Sequence, residues 1–525
     1  MQTLDIVLWI VGIALVGTFF YLIYSYVKGL WGSPRELFIL FATKIIEYAA
    51  YGAINMSFVL YLSSDCGLSD IAAGTFIGFW SMGITAIMIF VGPVCDAIGI
   101  KKTLLVGTST LIIARIIMPF TDSAVVAAIF GFVPLAFGIA IMGPVLSVGI
   151  KRFTTKEGAA MGFALFYTLM NIGWALGGII FDFVRGMFGE HEIYTLGIIP
   201  AEVSTYQIIF LVSFFLSIPN LIMILLMRDR VRMTEHHGVV IDPPGEKHTG
   251  TMLTVASKTI KQAAKDTGKI LYQAFTEKAF WTYLFMLGML VFVRLVFYHF
   301  HYTFPKYGIR VLGEGVKIGN IYGVLNPTMI VFLVPLVGAL TKKISSYKMM
   351  MVGTFISAFS VFMASMPAEI YAPLMDTWFA ELVFDRWLNT PAEMQSPVFF
   401  TLIFFIATFT IGEAIWSPRL MQFTAEIAPH GREGSYIALS YLPYFAAKLI
   451  AGPMSGWLVA TYTPEGAASY PNHYMVWLWI GGMAVISPLG LVAFNKMFRR
   501  AEQRHLEEEA QAEAGLDDKP DSTEE

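Results

Sequence analysis

The sequence predicts an all-α polytopic membrane protein, built as two six-helix halves with one extra transmembrane helix in front. Three observations carry this reading. Of 525 residues, 56% are hydrophobic and only 14% charged, with a mean hydropathy of +0.65, whereas soluble domains carry about 25% charge. Apolar runs long enough to cross a bilayer as helices follow one another along the chain. Basic clusters fall on alternate connections between them, as the positive-inside rule requires.

The first run, Leu4–Val27, is closed by Lys28 and has Asp5 but no basic residue in its N-terminal flank. That flank is wrong for a cleaved signal peptide, so residues 1–33 read as the extra helix, with the N-terminus outside. Twelve further spans fall near 36–62, 70–94, 102–121, 124–149, 158–184, 205–227, 279–304, 316–341, 347–366, 397–419, 434–461 and 474–497. Lys101–Lys102, Lys151–Arg152, Arg228–Arg232, Lys342–Lys343 and Arg499–Arg500 mark the cytoplasmic side, which places the C-terminus inside. The two halves occupy 34–230 and 279–500. Between them, 231–278 reads as a cytoplasmic linker, flexible around Asp242-Pro243-Pro244-Gly245. Its second part, Ser257–Phe275, sets Ile260, Ile270 and Leu271 against Lys258, Lys261 and Lys265, the pattern of a basic amphipathic helix on the inner leaflet. The connection 367–396 carries Trp378, Phe379 and Trp387 and suits the membrane interface. Residues 501–525 form an acid-rich tail with no means to build a core.

Composition also excludes. No Walker loop, nucleophile elbow or metal-ligand spacing occurs, so neither an enzyme nor a metal site is expected. No basic nucleic-acid patch is present. The two cysteines, Cys66 and Cys95, lie near opposite ends of one predicted helix, about 40 Å apart at ~1.5 Å per residue, too far to bridge. The expected partners are a small-molecule substrate and the lipid bilayer, around a monomeric functional unit in the cell membrane.

The halves repeat one another. Gly92-x-x-x-Asp96-x-x-Gly99-x-Lys101-Lys102, followed by Val106-Gly107-Thr108, superimposes on Gly338…Lys342…Ser345…Lys348 and Val352-Gly353-Thr354. Lys156-Glu157-Gly158 answers Arg432-Glu433-Gly434 in the same way. Parallel halves of this kind make a transporter architecture with its site at midplane.

Within the run Leu37–Leu62, Lys44, Glu47, Tyr51 and Asn55 recur at intervals of three and four, which predicts one polar helix face turned to a cavity. Intramembrane charges are functional by default. Lys44 and Glu47 can also simply pair and lock helix packing. Arg294 has Tyr298 and His301 on its face at i+4 and i+7. His299 points elsewhere on the wheel. Lys448 lies too deep to snorkel, and Arg115 is close enough to Phe120 to snorkel outward. Glu413 can pair with Lys44, the basic residue at similar depth. Asn171 and Asn326 sit at helix breaks, where their amides satisfy freed backbone.

Gly92-x-x-x-Asp96-x-x-Gly99-x-Lys101-Lys102 resembles the loop signature of the major facilitator superfamily, whose acid–base pairs latch the inward gate. Phe163-Ala-Leu-Phe166-Tyr167-Thr-Leu-Met170-Asn171-Ile-Gly173 is similar to the fifth-helix signature of proton-dependent oligopeptide transporters. Asn326-Pro327 with Pro335, and Gly412-Glu413-Ala-Ile-Trp-Ser417-Pro418, then Ala428-Pro429, resemble that family's eighth and tenth helices. The superfamily likeness covers nearly the whole chain after Gly32. The first helix departs from the family's Glu-x-x-Glu-Arg: Lys44 replaces the first acid, Glu47 keeps the second, and Tyr48 replaces the arginine. The fourth helix has no charge between Val125 and Gly149.

The resemblance implies a major-facilitator fold and a proton-coupled symporter of di- or tripeptides, driven by the proton gradient with no cofactor. Glu47, Glu413 and His301 are the candidates for proton coupling. Lys44, Tyr51, Asn55, Arg115, Asn171, Arg294, Tyr298, Glu413 and Lys448 are the candidates for substrate binding. Four basic residues against two acids leave about two positive charges at depth without a counter-ion, which calls for a carboxylate. Another small anionic solute is the alternative, and a non-transporting sensor or assembly partner the third.

Overall fold

The structure, a computed structural model, describes residues 12, 13, 17, 18, 20, 21, 23–195, 197, 202–235, 238–241, 254, 255, 257–262, 264, 265, 276, 278–341, 343–426, 442–498 and 500. The acidic tail, the Ala428-Pro429 and Arg432-Glu433-Gly434 motifs, Lys342 and most of the extra and amphipathic helices lie outside these residues. Twelve long helices follow: α1 (Arg35–Ser64), α2 (Asp70–Ile98), α3 (Ile100–Ile117), α4 (Ala124–Phe153), α5 (Lys156–Phe188), α6 (Thr205–Leu226), α7 (Lys278–Tyr302), α8 (Gly319–Leu340), α9 (Ser346–Ser365), α10 (Val398–Glu426), α11 (Leu442–Tyr462) and α12 (Tyr474–Ala493). Among the described residues, eleven helices are long and apolar enough to cross a membrane. The exception, α11, is as long but carries Lys448, Gly452, Pro453 and Gly456.

Local chemistry sets several boundaries. Thr155 caps α5 by accepting from the Gly158 amide, and Ser204 with Gln207 forms a reciprocal capping box on α6. Ser345 caps α9. Its counterpart in the repeat, Gly99, instead turns the chain between α2 and α3 with φ +90°, a conformation open to glycine. The two copies thus make the same corner by different means.

Contacts divide the chain into two units, Met1–Leu68 with Ala86–Ala263, and Ser69–Thr85 with Ala264–Glu525. The sequence-based division at 231–278 differs from this at one place, the first half of α2. That half packs with the second unit because Gly74 and Gly78 meet Gly452 and Gly456 of α11 at backbone distance. A Cβ on Gly74 would lie 2.6 Å from the Gly452 carbonyl oxygen, and one on Gly78 2.9 Å from the Gly452 Cα. Paired small residues four apart allow this approach, as in membrane helix pairs generally. A buried charge cluster closes the same junction. Lys306 Nζ donates to Asp70 Oδ1 at 2.6 Å, and Arg310 Nη1 to Asp70 Oδ2 at 2.7 Å and to the Thr463 carbonyl at 2.9 Å.

Two hairpins depart from the loops expected. The linker opens with β3 (Val231–Thr234) paired antiparallel to β4 (Gly238–Ile241), while Asp242-Pro243-Pro244-Gly245, expected to be flexible, lies outside the described residues. Alternation of Val231 and Met233 with Val239 and Ile241 is the strand signal, and Gly238 at φ +64° permits the turn. In the acid-rich connection, β1 (Ile193–Thr195) pairs with β2 (Glu202–Ser204). In the connection 367–396, Phe379 and Phe384 pack on Phe399, Phe400 and Phe404 of α10, while Trp378 stays 48% exposed. Cys66 and Cys95 are both free.

Candidate functional site

In the first unit, α1 presents two polar faces rather than one. At about 100° per residue, Tyr51 and Asn55 fall within about 20° of Lys44, on either side of it, and Glu47 lies about 60° from Lys44. Packing turns that offset into a separation. Lys44 is 2% exposed and faces α5, its Nζ 3.8 Å from the ring centroids of both Tyr48 and Phe166. No described acid pairs with it, so the alternative of a Lys44–Glu47 lock does not hold, and two aromatic rings flank the ammonium instead. Tyr48 and Tyr51 in turn meet Trp174 edge-on, at 6.0 and 5.4 Å. Asn55 is buried beyond them, its Nδ2 without a partner.

Glu47 faces α3 and α6. Arg115 Nη2 donates to its Oε1 at 2.5 Å and Nη1 to its Oε2 at 3.0 Å, a two-pronged pair. Arg115 Nη1 also reaches Ser217 Oγ at 2.5 Å. Arg115 is 0% exposed, so it does not snorkel. The alternative is costly: a guanidinium one turn from the helix end swings out only if nothing buried neutralises it, and here Glu47 does. Asn171 spends its amide on the Tyr167 carbonyl of its own helix, at 2.9 Å.

The gating motif behaves differently from its resemblance. Lys101 Nζ caps α6 by donating to the Met227 carbonyl at 2.6 Å, beside Arg228, which grips Glu36 through Nε and Nη2 at 2.8 Å each. Among the described residues, Asp96 and Lys102 form no ion pair. The acid–base latch expected of Gly92–Lys102 is therefore a lysine-to-carbonyl cap, because the C-terminus of α6 offers unsatisfied carbonyls close by.

The second unit holds the other intramembrane charges. Arg294 Nη2 donates to Tyr444 Oη at 2.5 Å, and its guanidinium lies 4.4–4.8 Å from the rings of Tyr444, Trp416 and Phe297. Lys448 Nζ donates to the Ser81 carbonyl at 2.9 Å and Thr85 Oγ1 at 2.7 Å, and stands 5.6 Å from the Tyr298 ring. Neither cation forms an ion pair among the described residues. Glu413, 8% exposed, accepts from Asn326 Nδ2 at 2.8 Å, and that same amide reaches Thr410 Oγ1. Asn326 thus serves a side chain rather than backbone. Of the face expected to join Arg294, Tyr298 and His301, Tyr298 stays within electrostatic reach of Arg294 while His301 packs against another ring. Tyr298 stacks on Tyr302 at 5.9 Å, and His301 meets the Tyr322 ring at 5.3 Å. His299 is fully buried, its Nδ1 2.8 Å from Thr303 Oγ1.

Several partners were not legible beforehand. Tyr444 is i−4 from Lys448 and Trp416 i+3 from Glu413, so helical spacing from known charges could have found both. Ser213 and Ser217, polar residues one turn apart in the apolar α6, were a further signal. Asp70 carried none, since it reads as an ordinary first-turn acid.

At the end of the first unit that bears the β1–β2 hairpin, a cavity of ≈ 300 Å³ is lined by Asp65, Asp122, Glu190, His191, Glu202 and Tyr206 among others. Arg185, fully buried, engages Glu190 through Nε and Nη2 and anchors the wall. Burial, with the nearby Asp122 carboxylate, pushes the Asp65 carboxyl up to about 7. The folded chain therefore holds this proton more tightly than an unfolded one, a stabilising contribution complete below the ordinary aspartate range and lost as pH rises through about 7. Thermal unfolding in detergent should show Asp65→Asn more stable than the parent at pH 8, with the gain shrinking towards pH 5. A gain independent of pH would refute this.

A model of the Major Facilitator Superfamily matches residues 40–384. The chain belongs to that superfamily of membrane transporters. Over 178 residues it is 28% identical to the Uncharacterized transporter YclF of Bacillus subtilis (strain 168), a match spanning 32% of this chain and 35% of that protein. Its fold is that of solved POT family structures. One, a POT family transporter in complex with 5-aminolevulinic acid, superimposes with a TM-score of 0.61 at 16% identity, over 89% of this chain and 97% of that one. Another, the peptide transporter POT in complex with sulfate, gives 0.62 at 16% identity over 89% and 96%.

Proposed function

We propose that the chain is a proton-coupled symporter of a small carboxylate-bearing solute, with di- and tripeptides as the leading substrates, working by alternating access of its two six-helix halves. The observation that carries this is in the second unit. Arg294 and Lys448 are held within apolar helices by aromatic rings, hydroxyls and a carbonyl, and neither makes an ion-pair contact with an acid among the described residues. A cation in that setting is costly until an anion arrives. A substrate carboxylate supplies it, while Glu413 takes the ammonium of a peptide. The ligands named in the two solved POT complexes, 5-aminolevulinic acid and sulfate, are anion-bearing, in keeping with this.

Glu47 carries the coupling proton, with Arg115 as the counter-ion released when it is protonated. The basic loops face the cytoplasm, the N-terminus lies outside, and the monomer in the cell membrane is the working unit. Lys44 favours a second reading, a transporter of other small anions: it adds a positive charge where the peptide family carries an acid.

Purified protein in proteoliposomes with an imposed inward proton gradient, offered dipeptides, amino acids and carboxylates, tests the assignment. Gradient-driven accumulation of a carboxylate-bearing solute is expected. Glu47→Gln should abolish accumulation while exchange of substrate across the membrane persists. Undiminished driven uptake in that variant would remove Glu47 from coupling.

A further inference from the structure

Helices α1 and α6 run antiparallel, and three contacts define how they face. Arg228, just past α6, grips Glu36; Ser217 shares Arg115 with Glu47; and Ser213 Oγ donates to the Ala50 carbonyl at 3.2 Å. Each pair of residue numbers sums to 263 or 264. The same register places Thr43 opposite Asn220, one turn from the Glu47–Arg115 pair. Both residues are 0% exposed, and among the described residues Thr43 Oγ1, Asn220 Oδ1 and Asn220 Nδ2 all lack a hydrogen-bond partner, as does Arg115 Nε. Three orphaned polar atoms that the register sets opposite one another on α1 and α6, with a fourth on Arg115 of α3, depart from the ordinary pattern for buried groups.

The donor set narrows what satisfies them. A cation needs oxygen ligands throughout, and here Asn220 Nδ2 and Arg115 Nε can only donate. An anion needs donors throughout, and Asn220 Oδ1 only accepts. Water both donates and accepts, and buried water takes two to four such partners. We infer that Thr43 and Asn220 form a buried water site beside Glu47, and that this water passes the coupling proton to and from the Glu47 carboxyl. The inference rests on Glu47 as the coupling acid, and adds the group that serves it. The transfer balances as a relay: the water gives one O–H proton to a carboxylate oxygen and takes a replacement proton at its own oxygen from a hydronium of the bulk solvent, so it ends as water, and the guanidinium of Arg115 is freed from that carboxylate oxygen.

A structure of the full chain at a resolution that shows ordered water is the direct test. Density within hydrogen-bonding distance of both Thr43 Oγ1 and the Asn220 amide is expected. A direct Thr43–Asn220 hydrogen bond with no density between would overturn the site. The second arm is functional. The double variant Thr43→Val with Asn220→Leu keeps the volumes and removes the polar atoms. It should slow gradient-driven uptake about tenfold or more, the scale of losing a positioned proton donor, and shift its pH profile, while substrate exchange continues and reports an intact fold. Driven uptake lost in Glu47→Gln but unchanged in the double variant would overturn the relay alone. Driven uptake that survives Glu47→Gln would overturn the coupling assignment, and the relay with it.

Discussion

Arg115→Met is expected to destabilise the first unit by about 3–5 kcal/mol, the usual cost of leaving one member of a buried ion pair without the other. Glu47 is 3% exposed and receives both of its charge-assisted hydrogen bonds from Arg115. Removing the guanidinium therefore strands a carboxylate, and Ser217 cannot replace two donors with one hydroxyl. The double variant Arg115→Met with Glu47→Leu should recover most of the loss, because two apolar side chains of similar volume need no counter-ion. Unfolding of the four proteins in detergent, read as a double-mutant cycle, measures the coupling. Equal stability of Arg115→Met and the parent would mean that the pair is not closed in the membrane-embedded protein.

Glu413→Gln is expected to weaken binding of a free-amine peptide by about 2–5 kcal/mol, the cost of truncating one side of a buried charge pair. Glu413 accepts from the neutral amide of Asn326 and forms no ion pair within contact distance among the described residues, so its carboxylate can take an incoming ammonium. An N-acetylated peptide has no ammonium to lose and should bind the variant nearly as well as the parent. If small anions are the cargo instead, the same change should leave affinity unchanged or raise it, since a nearby negative charge repels them. Equal losses for free and acetylated peptides would take Glu413 out of the amine site. Binding isotherms on the purified variants distinguish the three patterns.

Most of the fold was legible in the sequence because a bilayer leaves few choices. With no water to satisfy backbone groups, apolar runs must be helices, and their number, order and repeat follow from hydropathy and basic loops. The burial of Lys44, Glu47 and Glu413 was legible for the same reason. What each charge touches was not. Lys44 and Glu47 are three residues apart and read as one stripe, yet an offset of about 60° sends them to different neighbours. The sequence has no way to say that Arg115, some seventy residues on, is the partner of Glu47, or that aromatic rings lie against Lys44 and Arg294.

The chain by itself therefore determined the class of protein, the helices and which charges must lie at depth, since each depends on local composition against a fixed apolar thickness. Only the tertiary structure decided the partnerships: Glu47 with Arg115 and Ser217, Glu413 with Asn326, Lys448 with Ser81 and Thr85, and the first half of α2 with the second unit rather than the first. Those depend on helix register and rotation. Gly74 and Gly78 show why: two missing side chains bring α2 against α11 at backbone distance, and that approach sets what Lys448 can reach.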